Sequence, residues 1–315
     1  MNKLLAASLF AVAAVLIAGC GRKDTTMPLD SSAFEIHHSA IHPQCSFGIY
    51  RDPQGRDDLT VLYYFHGSGG NVRTWLDQGR PVIDAWDPSA KRFPLVIAVS
   101  CGPEWLIYPE GVGSRGPSLE AFVRDLIPEM EKIAGANPRR RIAFGFSNGG
   151  ANAAQLFFRY PEFFHEAVLV SPLVYPLSPE ASPRQVEELA SSAGLPDGGP
   201  LERAKDFVLG RSKIARSIAR ELENERSNLV SPIDWPRADI LRNIRRDPKG
   251  IPRRLYVSSG RLDESALFPG ASALAAKAGA LDYEVDFQKM NGGHMSLDEA
   301  RIAAFLRRGA IGDAH

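Results

Sequence analysis

The stretch Arg141-Ile142-Ala143-Phe144-Gly145-Phe146-Ser147-Asn148-Gly149-Gly150 constrains this chain more than any other. An apolar run of strand character ends at Gly145, and an Ala-rich helical pattern opens just after Ser147. Between them lies G-x-S-x-G. That spacing predicts a serine on a strained strand-to-helix turn, with glycines two residues either side because side chains there would strike neighbouring backbone. Such a turn lifts the hydroxyl clear of the sheet. It also leaves the Asn148 N–H free at a helix N-terminus, where the dipole favours a developing oxyanion. A Gly-rich turn with an incidental serine is the competing reading of the pentapeptide alone; the strand before it and the helix after it count against that.

The rest of the chain repeats strand and helix. Strand character is expected over 34–38, 46–50, 59–65, 94–100, 141–146, 167–171, 254–259 and 283–288. Helical spacing runs over 72–86, interrupted by Pro81, and over 119–134, where Ser118 is the expected N-cap and Pro128 an expected kink. A helix follows the elbow over 149–160, and Ser296-Leu297-Asp298-Glu299 has the form of a capping box opening the last helix. Buried strands alternating with helices require a mostly parallel sheet covered on both faces. One interval breaks the rhythm: about 80 residues separate Pro172 from Arg254, too many for one crossover helix. Residues 173–252 read as a mostly helical insertion, with helices expected over 201–228 and 237–246. It either caps the site or is a peripheral decoration.

Residues 1–19 differ in kind. Lys3 is followed by an almost unbroken apolar run from Leu4 to Ala18, too short for an ordinary membrane span, and it reads as a secretory signal. Ile17-Ala18-Gly19-Cys20 resembles a bacterial lipobox, which implies that Cys20 becomes a lipidated N-terminus held in a bilayer. Gly21, where inner-membrane lipoproteins carry Asp, implies an outer-membrane anchor facing the periplasm. Residues 20–33 are polar and unpatterned and read as a flexible tether, leaving 34–315 as the folded domain. Lys+Arg 37 balances Asp+Glu 37, so composition offers no nucleic-acid footprint.

Three further sites accompany the elbow. Tyr64-Phe65-His66-Gly67-Ser68-Gly69-Gly70-Asn71 follows a strand directly, and a glycine-rich loop there lets a backbone N–H approach a substrate oxygen. Ser68 or Gly69 is the expected second oxyanion donor beside Asn148, with His66 orienting the loop. Leu255 to Glu264 is a strand running into G-x-x-D, where Asp263, or failing it Glu264, can orient an imidazole. Asn291-Gly292-Gly293-His294 places a histidine in a loop before the last helix. Taken singly, the acid is an ordinary turn residue and the histidine an ordinary surface one. Their order, Ser147, Asp263, His294, each beyond a strand, joins them.

From Leu59 onward the chain resembles an α/β-hydrolase, of the feruloyl-esterase and polyhydroxyalkanoate-depolymerase type of secreted esterase. The likeness rests on His66 to Asn71, Phe122 to Glu131, Gly145 to Gly150, Arg159-Tyr160-Pro161-Glu162-Phe163-Phe164 and Gly293-His294. It implies an eight-stranded, mostly parallel sheet in the order 1-2-4-3-5-6-7-8, with strand 2 antiparallel and the insertion after strand 6. It implies Ser147 as nucleophile, His294 as base, Asp263 as orienting acid and an ester substrate passing through an acyl-enzyme. Strands 2 and 4 would then be neighbours, which implies a disulfide between Cys45 and Cys101, two separate buried thiols being the other reading. Two other readings remain: a serine peptidase of the prolyl-oligopeptidase type, and a non-catalytic binding lipoprotein. With no metal-ligand spacing and no dinucleotide fingerprint, no metal or other cofactor is expected.

Overall fold

Strands that are apolar on both faces alternate with helices that are apolar on one, and in the computed structural model they build one eight-stranded sheet. The structure describes residues 34–51, 56–86, 93–192, 200–246 and 253–311. The expected signal segment, the expected tether and Cys20 lie outside the described residues.

The strands are β1 (Phe34–His38), β2 (Ser46–Tyr50), β3 (Arg56–Phe65), β4 (Phe93–Ser100), β5 (Arg140–Phe146), β6 (Glu166–Val170), β7 (Arg254–Gly260) and β8 (Glu284–Met290). Their order in the sheet is β1-β2-β4-β3-β5-β6-β7-β8. β2 pairs antiparallel with both β1 and β4, and the remaining pairs are parallel. Every residue of β4 and β6 is buried, as strands covered on both faces require. At the end of the sheet where β5, β6 and β7 begin, Arg140 grips Glu166 through two hydrogen bonds of 2.8–2.9 Å, and Arg254 joins at 3.0 Å. The catalytic candidates stand at the other end.

The helices are α1 (Thr74–Gln78), α2 (Arg80–Asp84), α3 (Leu119–Ala121), α4 (Ile127–Ala134), α5 (Asn148–Arg159), α6 (Pro183–Ser192), α7 (Pro200–Asn228), α8 (Trp235–Ala238), α9 (Ile240–Asn243), α10 (Phe268–Gly279) and α11 (Glu299–Ile311). Three local expectations change. The break in 72–86 falls at Gly79 instead of Pro81, because a side chain at 79 would overlap the Trp75 ring, whereas Pro81 sits harmlessly in the first turn of α2. Around Pro128 the helix widens into a π turn, Phe122–Leu126, with the Ile127 N–H reaching back to Phe122 O. That turn absorbs the proline's missing donor. Finally, the cap of α11 is Asp298, whose Oδ1 accepts from Arg301 N at 3.0 Å, and not Ser296. Ser118 caps α3 as expected, accepting from Ala121 N at 3.1 Å.

α6 to α9 form the insertion between β6 and β7. It carries one helix, α6, that the periodicity did not reveal, and the expected second helix is split into α8 and α9 at Asp239. The insertion lies against the body built on the sheet: Asn224 and Asn228 of α7 reach the side chain and the carbonyl of Glu104 at 3.5 and 3.3 Å. Cys45, before β2, and Cys101, after β4, form a disulfide. Antiparallel pairing brings the start of one strand beside the end of the other.

Candidate active site

Ser147 adopts φ 54 and ψ −117, a left-handed conformation that costs a non-glycine residue roughly 1–3 kcal/mol. The flanking glycines explain how it is held. A Cβ at Gly145 would fall 1.9 Å from Gly149 O, and one at Gly149 would fall 1.9 Å from Phe65 O. α5 therefore packs backbone to backbone against the strand end and the loop after β3. Two further hydrogen bonds fix the turn: Ser147 N donates to Val170 O at 3.0 Å, and Leu173 N donates to Ser147 O at 2.9 Å. Asn148 opens α5, so its N–H is one of the donors that a helix cannot satisfy internally.

Asp263 and His294 come together. His294 Nδ1 lies 3.0 Å from Asp263 Oδ2, and the Asp263 side chain is fully buried. Asp263 Oδ1 accepts from Ser265 N at 2.7 Å, which fixes the carboxylate plane. The histidine backbone is held as well: its N–H donates to Glu264 Oε2 at 3.1 Å, and its carbonyl accepts from Ser171 Oγ at 3.0 Å. Glu264, the alternative acid, thus grips the loop instead of the ring. Burial pulls the imidazole down, but the Asp263 hydrogen bond and the charges of Asp263, Glu264 and Glu221 outweigh it and raise His294 above its ordinary value. With Nδ1 engaged, Nε2 is the remaining nitrogen. The ring meets Phe146 edge-on at 5.6 Å, one residue from Ser147; among the described residues no hydrogen bond joins Ser147 to the ring. Catalytic hydrogen bonds often tighten only once substrate is bound.

Two positioning residues carried only weak sequence signals. Gly260 was visible as the first residue of G-x-x-D, but its need is tertiary: a Cβ there would fall 2.2 Å from Gly292 O. That close approach zips the acid turn onto the histidine loop, with Leu262 N donating to Gly292 O at 3.0 Å. Ser171 also takes positive φ, 41, and its neighbours in sequence give no hint of it.

The loop after β3 approaches the elbow: a Cβ at Gly67 would stand 3.2 Å from Ser147 Cβ. Gly69 takes φ 74, and its N–H is occupied by Pro103 O at 2.9 Å. The Gly70 N–H returns to Gly67 O at 3.1 Å. Of the two donors expected from this loop, Gly69 is therefore engaged elsewhere, which leaves Ser68. His66 is buried and spans two loops, its Nδ1 donating to Gly67 O at 2.7 Å and its Nε2 accepting from Ser100 Oγ at 2.8 Å. Burial lowers its basicity, which suits a neutral tether.

A serine elbow after the fifth strand, at the same sheet end as a buried Asp–His couple, defines the α/β-hydrolase architecture, and this chain is an α/β-hydrolase in fold. A family model described as serine aminopeptidase, S33, matches residues 109–195, a span that holds Ser147 but neither Asp263 nor His294. The Bacillus subtilis (strain 168) protein MhqD, provisionally named a hydrolase, is 31% identical over 141 residues. The match takes in 43% of this chain and 64% of MhqD, so the chain spans less than two thirds of that relative. Among solved structures, an esterase of the bacterial hormone-sensitive lipase family superposes with TM-score 0.58 at 19% identity, over 90% of this chain and 86% of the other. The hyperthermophilic esterase of the archaeon Pyrobaculum calidifontis gives TM-score 0.58 at 17% identity, over 88% and 85%. A ferulic acid esterase gives 0.50 at 15% identity, over 87% and 94%. At these identities the likeness is one of fold.

Proposed function

We propose that the chain is a serine hydrolase that cleaves carboxylic esters through an acyl-enzyme. The observation that carries this reading is the strained Ser147, raised at the sheet end where Asp263 holds His294 by Nδ1. Ser147 Oγ attacks the ester carbonyl carbon as His294 Nε2 takes its proton, and the carbonyl π electrons move onto oxygen. The N–H groups of Asn148 and Ser68 receive that oxyanion, and Gly69 shapes the loop. Collapse of the tetrahedral intermediate breaks the bond to the alcohol oxygen, which leaves with the proton from His294. Water then repeats the sequence and frees the acid and Ser147. Asp263 keeps the imidazole in the useful tautomer and stabilises its charged form. That the structural neighbours include esterases supports an ester as substrate, whereas the likeness to serine aminopeptidases favours a second reading in which an amide is cleaved. A panel of aryl esters and aminoacyl anilides separates them: ester turnover that is lost in Ser147→Ala supports the first reading, and anilide turnover alone supports the second.

The N-terminal reading stands as a further part of the proposal. Lipid on Cys20 would tether the domain to the outer membrane, and detergent partitioning lost in Cys20→Ser is its test.

A further inference from the structure

Between the end of β6 and the insertion the chain runs from Ser171 to Tyr175 without helix or strand, yet every residue of this stretch is buried. Buried irregular backbone is uncommon, because its polar groups have neither a ladder to join nor water to fall back on. Here they are spent on the catalytic candidates. Val170 O accepts from Ser147 N, and Leu173 N donates to Ser147 O. Ser171 Oγ donates to the His294 carbonyl. The Tyr175 hydroxyl donates to Ser265 O at 2.7 Å, and Ser265 N in turn donates to Asp263 Oδ1 at 2.7 Å. One short run of chain therefore reaches the nucleophile, the base and the acid.

The run is itself held rigidly. Ser171 N donates to Ser258 O of β7 at 2.7 Å. A Cβ at Gly150 of α5 would stand 2.8 Å from Pro172 Cα, and one at Gly270 of α10 would stand 1.6 Å from Val174 O. Packing alone would not select its two hydroxyls. Ser171 has φ 41, which glycine would adopt without strain, but glycine would leave the His294 carbonyl without its donor. Tyr175 is 2% exposed, and phenylalanine would fill the same space without reaching Ser265.

We propose that Val170 to Tyr175 act as one brace that fixes all three catalytic groups relative to each other, with Tyr175 the positioning residue for Asp263 as Ser171 is for His294. This rests on the hydrolase reading of Ser147. Tyr175→Phe keeps the buried ring and Ser171→Gly relieves the strained φ, so each removes a hydroxyl without adding bulk or strain. Each should lower kcat for an aryl ester about tenfold to a hundredfold, with KM within about twofold of wild type and helix content unchanged. The effect of Tyr175 should run through the acid: in Asp263→Asn, where the imidazole has already lost its carboxylate partner, Tyr175→Phe should cost nothing further, whereas a general loss of packing would add. An unchanged kcat in both variants, a change confined to KM, or the same factor lost again in Asp263→Asn overturns the proposal. If the wild type turns over no ester, the hydrolase reading fails separately. The NMR resonance of the proton between Asp263 and His294, identified by its loss in Asp263→Asn, then decides the brace alone. A resonance displaced or broadened in Tyr175→Phe and Ser171→Gly sustains the brace, and one unchanged in both refutes it.

Discussion

A methyl group at Gly149 would stand 1.9 Å from the carbonyl oxygen of Phe65, so the elbow helix and the loop after β3 touch through backbone alone. The contact fixes where Ser147 stands relative to Ser68, and no flexible side chain is available to yield. Gly149→Ala should destabilise the fold by about 3 kcal/mol or more, read as a lowered denaturation midpoint. Gly279→Ala, where nothing lies within 4 Å, should be stabilising by a few tenths to about 1 kcal/mol. Equal effects at the two positions would refute the packing argument.

The acid limb of kcat/KM should report His294. Its base form is needed to take the Ser147 proton, and its raised value means that activity grows with pH through a midpoint above 6.5. Glu221→Gln removes one of the charges that raise it and should move the midpoint to lower pH. Asp263→Asn should cost about three to four orders of magnitude in kcat. An acid limb unmoved by Glu221→Gln would contradict the electrostatic part of this site.

The disulfide joins the loop after β4, which carries Pro103 and Glu104, to the start of β2. The chain has three cysteines, so the denatured, unreduced protein should titrate with no thiol other than that of Cys20. Reduction should cost about 2–4 kcal/mol of stability. Two additional free thiols would contradict the pairing.

Glu225 should make stability fall with rising pH. Burial, aided by the charges of Asp239 and Glu221, pushes its carboxyl well above the ordinary 4.5. The folded state therefore holds this proton more tightly than the unfolded chain does. Its stabilising contribution is complete below the unfolded value and is lost as pH climbs through the raised folded one. Glu225→Gln cannot ionise, so its gain in Tm over wild type should be larger at pH 8 than at pH 5. A gain independent of pH would show that Glu225 is not the titrating group.

What was legible in the sequence was what local sterics and periodicity decide. Gly145 and Gly149 announced the elbow, the solid apolar runs announced strands covered on both faces, and the order Ser147, Asp263, His294 announced the site. What stayed hidden depends on contacts between distant segments. Nothing near Gly69 says that Pro103 takes its amide. Nothing near Pro128 says that the helix will widen into a π turn before it. Asn224 and Asn228 read as part of a solvated helix face until the fold turns them inward onto Glu104.

The central claim, that Ser147 is the nucleophile, meets its most direct test in fluorophosphonate labelling followed by peptide mass mapping. The serine should attack phosphorus and expel fluoride, leaving one modified peptide that contains Ser147. Ser147→Ala should carry no label, and His294→Ala should label far more slowly. A label on another residue, or one that persists in Ser147→Ala, would contradict the assignment.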